Sequence, residues 1–519
     1  MKTTFLPAWV LCFWVLVLSP TSAYSAPLKA LVRGLPDQPK QLHPHYFGGS
    51  PGAQVLKDLY EGLMVQNHSG EPVPGMAAKV EISPDGKTYR FTMREGIRWS
   101  DGSAVTADDF VRSFRALADP ETRATYRWYL KTGQFSGADE ALAGNIEALG
   151  VKAENNQLVL QLRQPVPYIL ELLTFPSFLP VAKQHNPGKP VSNGPYTLSS
   201  ETPGKTIKLK KNPHYYNKEQ VAINEVVYQI QPDEMQVLEA FREGRMDITS
   251  HLTAAARLKA RTEQLRRTME NQSLVTTMLV PNQKHPLLAN TDFRKALSLA
   301  LDRTALVNSN YPDSLVRPAC SFTAPLTRGF SPDPKNCYLL LNSADRNHQA
   351  SSYLKKSGVK PGKVTLTVTT TTKYGSDHLL NQMVAQWQAI LGIQVQVRLL
   401  DWRGFTRALS DKDYQLALFS WLAGYNDATA FLLPLQNEKG FGPFVNPDYQ
   451  KQLELAAQQI SQADRLPYYQ QAETILAQQL PVIPVIHPTF VQLVKPRVEG
   501  FYTSNPEGWV HTRYLRLLR

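Results

Sequence analysis

Apolar and polar residues alternate along Lys79–Ile82 and again along Thr88–Met93, with Ser83-Pro84-Asp85-Gly86 between the two runs. Period-two patterning around a Pro-Asp-Gly turn predicts a β-hairpin. From Thr106 the apolar spacing becomes helical and runs to Ala118, with Thr106 and Asp109 spaced as a capping box. Val151–Ala153 and Leu158–Leu162 then flank the turn Glu154-Asn155-Asn156. The strongest patterning comes later. Val364–Val368 is an alternating β-branched strand, and His378–Leu391 has helical spacing and stops at Gly392, a residue suited to ending a helix. Ile393–Leu399 reads as a strand, Trp402–Leu409 as a helix and Tyr414–Trp421 as a further strand. Strand, helix and strand at this spacing predict parallel βαβ crossovers. Tyr468–Gln479 reads as a helix leading into the strand Val482–Ile486. The fold class is α/β with added β and helical elements. No repeat at solenoid spacing and no Gly/Ser linker divides the chain, so its domains are expected to be joined by short crossings.

Composition narrows the function classes. The 519 residues suffice for two to four domains at roughly 100–200 residues each. A hydrophobic content of 42% against 19% charged residues excludes a disordered chain. The balance of 56 basic and 44 acidic residues gives +12 and invites a nucleic-acid reading. The basic clusters Lys205–Lys211, Arg257–Arg267 and Arg513–Arg519 are short and interrupted, so they read as solvated surface, and nucleic acid is not an expected partner. The nucleophile elbow G-x-S-x-G and the zinc motif H-E-x-x-H are both missing. Gly204-Lys205-Thr206 resembles the end of a P-loop, but Ser199 stands where the earlier Gly is due. His43-Pro44-His45 reads as a packed or solvated pair rather than a metal site. No catalytic constellation, metal or cofactor is expected.

The N-terminus fixes the compartment. Lys2, the apolar stretch Phe5–Leu18 and the small residues Thr21-Ser22-Ala23-Tyr24-Ser25-Ala26 describe a secretory signal peptide over residues 1–25. With Pro7 inside it, the apolar stretch is too short for about 30 Å of hydrocarbon. Removal of this leader discards Cys12 and leaves Cys320 and Cys337, which enclose a Pro-rich stretch. An oxidising compartment favours their pairing as a disulfide. Such a loop stabilises by roughly 3 kcal/mol in the chain-entropy description.

One ordered set of motifs is specific. Pro74-Gly75-Met76-Ala77 precedes Ser83-Pro84-Asp85-Gly86-Lys87-Thr88-Tyr89-Arg90-Phe91, then Gly96-Ile97-Arg98-Trp99-Ser100-Asp101-Gly102 and Val105-Thr106-Ala107-Asp108-Asp109-Phe110. Asn193-Gly194-Pro195-Tyr196, Lys211-Asn212-Pro213-His214-Tyr215-Tyr216 and Leu493-Val494-Lys495-Pro496 follow. The set closely resembles the family 5 extracellular solute-binding proteins of bacterial ABC importers, above all the oligopeptide-binding branch. The resemblance implies a periplasmic binding protein type II-like (class C) fold of three lobes, two of which close over a ligand cleft. The lobe boundaries it implies are 26–50, 181–268 and 488–519 for lobe I, 51–180 for lobe II and 269–487 for lobe III. It also implies a monomer that binds a small-molecule or peptide ligand and delivers it to a membrane ABC permease with its ATPase. The rival readings are the same transport role for a non-peptide amphipath or metal chelate, a secreted hydrolase, and a chaperone or signalling protein that keeps the binding fold.

The resemblance also implies the ligand-contacting positions: Phe47, Gly48 and Gly49 in an early loop, Tyr126 and Tyr129, Ser250 and His251, and Trp402. To these it adds the run Trp421-Leu422-Ala423-Gly424-Tyr425-Asn426-Asp427. For each aromatic the alternative is plain core packing. Oligopeptide binders carry a carboxylate for the peptide's amino end at the fourth position of this run, where this chain has Gly424. Leu409 and Leu418 stand where they carry arginines. Three readings are open: Asp427 supplies the acid instead of capping a helix over Thr429–Leu433, the ligand has a blocked amine or is held by its carboxylate, or the ligand is not a peptide.

Overall fold

The computed structural model describes residues 30–518 apart from 185–187, 266, 313, 337, 372–376 and 437–442. The expected leader lies outside the described residues, and so does Cys337. Cys320 is disulfide-bonded.

Three sheets organise the molecule. The first runs in the order Leu31–Leu35, Glu225–Ile230, Thr206–Lys211, Tyr196–Thr202. Its outer strand Leu31–Leu35 lies parallel to Glu225–Ile230, and the other pairings are antiparallel. Ile207 and Leu209 point into the core while Lys208 and Lys210 face out, so the basic run here is the solvated face of a strand. The other two basic runs are partly consumed inside the protein. Arg257 reaches the Thr489 carbonyl (2.7 Å) and Ser314 (3.0 Å), and the Arg513 guanidinium is paired with Glu61 and Tyr215.

The second sheet is the predicted hairpin Ala77–Ile82/Thr88–Met93 extended by Gln157–Gln161 and Val151–Glu154, all antiparallel. The helix Ala107–Ala118 packs on it, and the Thr106 amide donates to the Asp109 carboxylate at 2.9 Å as the capping box requires.

The third sheet has six strands in the order Arg317–Pro318, Ile483–His487, Val275–Pro281, Leu416–Leu422, Thr365–Thr371, Gln394–Leu400. The two predicted crossovers are present. The helices Asp377–Leu391 and Trp402–Asp411 connect strands in which Thr365–Thr371 is parallel to both Gln394–Leu400 and Leu416–Leu422. Val275–Pro281, buried at every position, crosses the middle antiparallel to its two neighbours. The helix expected over Tyr468–Gln479 in fact begins at Gln462, with Ser461 capping it. Pro467 lies inside this helix, beyond its first turn, so the helix runs through it with one intrahelical hydrogen bond fewer.

Distant segments share one core under the first sheet. Arg33 bonds Thr512 (2.6 Å), Asp58 accepts from Tyr228 (2.7 Å) and Thr512 (2.5 Å), and the Asn193 amide exchanges two hydrogen bonds with the Glu61 backbone. Gly194 is required next to it. A Cβ there would meet the Leu59 carbonyl carbon at 2.6 Å, where the Gly194 amide instead donates to the Leu59 oxygen at 2.8 Å.

Candidate functional site

A cluster of rings forms where the second and third sheets' appendages meet the start of the helix Gly49–Leu59. Phe47 packs on Tyr126 (ring centroids 4.9 Å apart) and on Phe175 (5.7 Å). Tyr129 packs on Phe175 (4.6 Å), and Tyr425 stacks on Tyr168 at 5.1 Å. Gly49 has a positive φ of 69° and presents its amide to the Tyr126 hydroxyl at 3.4 Å. Aromatic walls of this kind strip water from a ligand while leaving phenol hydroxyls to bond it. Burial pushes the Tyr126, Tyr129 and Tyr425 hydroxyls up, so all three stay neutral.

Gly424 faces this cluster. A Cβ built on it would lie 2.2 Å from the Tyr129 hydroxyl oxygen and 3.4 Å from the Phe175 ring. The place of the expected carboxylate is therefore taken by a neutral phenol from another part of the chain. Asp427 does not supply the missing acid from within its own loop. Its Oδ1 accepts from the Thr429 amide (3.0 Å) and hydroxyl (2.7 Å), and its Oδ2 holds Arg465 at 2.6 Å. It thus heads the short helix Thr429–Leu432 and belongs to a fully buried ion pair.

The rest of that loop is equally committed. Trp421 and Leu422 end the strand Leu416–Leu422, and the Trp421 indole donates to the Ala430 carbonyl at 2.9 Å. The Ala423 amide donates to Leu274 (2.9 Å), and Asn426 accepts the Arg328 amide at 2.8 Å. Arg328 in turn pairs with the largely buried Glu171 at 2.5 Å. Burial pushes the Glu171 carboxyl up and the Arg328 charge pulls it back.

Ser250 and His251 form a second patch. His251 lies against Phe490 with ring centroids 4.4 Å apart, and its Nδ1 is buried without a partner. Burial lowers this imidazole to about 4, with Arg33 and Arg257 adding to the effect, so it is neutral at pH 7. The structure brings together Phe47, Gly49, Tyr126, Tyr129, Gly424 and Tyr425, but not Trp402. Trp402 heads the helix Trp402–Asp411, is 44% exposed and leans toward Phe405. Leu409 packs at the edge of the core, and Leu418 is 1% exposed within the core of the third sheet.

Sequence reasoning missed Phe175, Tyr168, Phe490, Lys57 and Glu507. The last two share a polar cluster. Lys57 donates to Gln66 (3.3 Å) and to the Thr174 carbonyl (3.4 Å), and lies over the Trp509 ring at 5.5 Å. Gln66 and Trp509 also bond the Glu507 carboxyl. Burial lowers Lys57 to about 8 and raises Glu507, each charge partly offsetting the other's shift. Asn505-Pro506-Glu507-Gly508 reads locally as a polar surface turn, so no signal in the sequence marks Glu507 as buried.

Among the described residues no three His, Cys, Asp or Glu side chains gather as a metal site. Among them also, no helix is long and apolar enough to cross a membrane.

The rings of Phe47, Tyr126, Tyr129, Phe175 and Tyr425 thus gather around Gly424, with Asp427 and Glu171 each held by an arginine. The sequence profile of the bacterial extracellular solute-binding proteins, family 5 Middle, matches residues 71–443. The chain belongs to that family. The family consists of non-enzymatic solute-binding proteins that work with ABC permeases. The chain is 30% identical over 524 residues to the periplasmic oligopeptide-binding protein OppA of Salmonella typhimurium, covering 96% of this chain and 94% of that protein. It is 28% identical over 514 residues to the periplasmic murein peptide-binding protein MppA of Escherichia coli, covering 96% and 95%. It is 29% identical over 516 residues to the probable deoxycholate-binding periplasmic protein YgiS of Escherichia coli, covering 96% and 95%. The solved structure of the Escherichia coli murein tripeptide binding protein MppA superposes with a TM-score of 0.87 at 28% identity, over 95% of this chain and 99% of that one. Against MppA in its unliganded open form the score is 0.76, at 28% identity over 95% and 98%.

Proposed function

We propose that this chain is the periplasmic binding component of an ABC importer that encloses short peptides between its lobes and hands them to the permease and its ATPase. The observation that carries the reading is the cluster of rings itself. Phe47, Tyr126, Tyr129, Phe175 and Tyr425 come from separate segments and meet around Gly424. Such a surface is assembled only when the lobes close, which couples ligand burial to the shape the permease reads. Phe47, Gly48, Gly49, Tyr126, Tyr129, Ser250, His251, Trp421 and the loop 422–427 line or support the ligand site in this reading, while Trp402 contributes only from its rim. The leader 1–25 is removed on export and the mature protein acts as a monomer. Lobe I comprises 26–50, 181–268 and 488–519, lobe II 51–180 and lobe III 269–487. Cys320 is paired with Cys337. The ligand undergoes no chemistry, and steady turnover of a peptide or ester by the purified protein would overturn that.

One observation favours a second ligand class. The wall at Gly424 is neutral, and a relative of equal coverage is named as probably deoxycholate-binding, so an apolar amphipath fits the same site. Native mass spectrometry of protein purified from its host compartment separates the two. A heterogeneous set of short peptides supports the first reading, and a single non-peptide mass overturns it.

A further inference from the structure

Three helices turn one face each toward a common space. Lys295 stands three and four residues before Ser298 and Leu299 on Thr291–Leu299, Gln349 four before Tyr353 on Ser343–Lys356, and Glu473 three and four before Leu476 and Ala477 on Gln462–Gln479. Such spacing sets each group on a single helix face. Between these faces, the segment 320–322 and the turn Tyr338–Leu340 lies a cavity of about 500 Å³. That is within the roughly 300–1,000 Å³ of small-molecule sites. None of its lining residues belongs to the ring cluster around Gly424.

The walls hold their shape from within. Glu473 accepts the Phe322 and Thr323 amides (3.1 and 2.6 Å), the Tyr338 hydroxyl donates to the Ala319 carbonyl at 2.5 Å, and the Asn336 side-chain amide donates to the Thr474 hydroxyl at 2.7 Å. Cys320 adds its disulfide. A ligand therefore meets a pre-formed site, and little ordering entropy is lost on binding.

The lining is divided by polarity. Leu299, Leu341, Leu476, Leu480 and Val482 form an apolar part, and Leu340, 72% exposed, stands at the mouth. The cations are Lys295 and Lys335, and the Lys295 ammonium lies over the Tyr353 ring at 5.2 Å. Among the described residues neither lysine enters an ion pair. The sole acid of the described lining is Glu473, which is buried and whose carboxyl burial pushes up. Two cations without acidic partners beside apolar surface attract a negative head group and leave its hydrocarbon part to cover the leucines.

We propose that this cavity is a second ligand site, separate from the one assigned above, for an anionic amphipath. Its head group lies at Lys295 and Lys335, and its hydrocarbon chain lies against Leu340, Leu476 and Leu480. The inference stands whichever ligand the ring cluster takes.

The test uses the mature protein with decanoate as the probe and decanol as its neutral counterpart. Calorimetry reads affinity, and hydrogen exchange followed by mass spectrometry locates the contact. Decanoate should slow exchange in Thr291–Leu299, in 338–341 and in Ser343–Lys356. The double variant Lys295→Gln/Lys335→Gln should bind decanoate about 2- to 30-fold more weakly, as the loss of two partly exposed ion pairs predicts, with decanol unchanged. Ala477→Trp fills the space from Gln462–Gln479 and should abolish binding of both probes, an arm that does not depend on charge. Absence of decanoate binding at millimolar concentration overturns the inference, and so does binding that survives in Ala477→Trp. Slowed exchange confined to the ring cluster and the loop 422–427 overturns it too, and instead supports the amphipath reading of that site. An equal fall in decanoate and decanol affinity in the double variant, or no fall in either, overturns it as well, since no head group is then recognised.

Discussion

Gly424→Ala isolates lobe closure from folding. The new Cβ would lie 2.2 Å from the Tyr129 hydroxyl oxygen, whereas the ring carbon behind it is 3.2 Å away. Restoring ordinary contact requires Tyr129 to retreat by on the order of 1 Å. That tyrosine is hemmed in by Trp128 (ring centroids 3.9 Å apart) and Phe175 (4.6 Å). Overpacking of this size costs about 1–3 kcal/mol, or about 5- to 150-fold in an equilibrium constant. Gly424 does not occupy a positive φ, so an alanine adds no backbone strain. Tyr129 and Gly424 belong to different sheet assemblies, so the penalty falls on the closed state and spares each assembly's own fold. Affinity for the ligand recovered by mass spectrometry, measured by calorimetry, should fall by that factor with the melting temperature nearly unchanged. Small-angle scattering should show a more extended average shape. Tyr129→Phe removes the offending oxygen, so the double variant should regain most of the affinity, giving a coupling energy in a double-mutant cycle. Unchanged affinity in Gly424→Ala, or a double variant no better than the single one, would refute the reasoning. The same geometry revises the simplest reading of Gly424: an aspartate installed there must first displace Tyr129, so restoring the acid alone should weaken binding.

Three further outcomes are expected. Asp427→Ala strands Arg465 in a fully buried site and should destabilise the protein by about 3–5 kcal/mol, seen as a lowered urea midpoint. Burial depresses His487 from 6.5 to about 4, so on acidification the unfolded chain takes the proton first. The stability it contributes is complete above pH 6.5 and is lost as pH falls toward 4, by up to about 1.4 kcal/mol per pH unit. His487→Gln should flatten that part of a plot of urea midpoint against pH. Cys320 is disulfide-bonded, so reductant should lower stability by roughly 3 kcal/mol, and peptide mapping without reduction should recover Cys320 linked to Cys337.

Where burial follows from local period, the chain could be read directly. The hairpin at 77–93, the capped helix after Thr106 and the two crossovers from Thr365 to Leu422 are present with boundaries shifted by up to three residues. The helix read over Tyr468–Gln479 extends back to Gln462 through Pro467, because the packing of its buried positions outweighs the hydrogen bond the proline removes. The strand Val275–Pro281, buried at every position, carries no alternation and was not read at all. The motif Asn193-Gly194-Pro195 was conspicuous, but its reason, the contact with Leu59 and Glu61, is tertiary.

The sequence by itself determined the α/β class, the family and the absence of an acid at position 424, because each is written in residue order and local periodicity. Only the tertiary structure decided what that absence means. Whether Gly424 is an empty charge site or a filled contact depends on a hydroxyl from Tyr129, and whether Asp427 is available depends on Arg465. Glu507 is buried because folding brings Gln66, Lys57 and Trp509 around it, which its local sequence does not record. Electrostatic and steric terms of this kind act through space over a few ångströms, and separation along the chain carries no record of them.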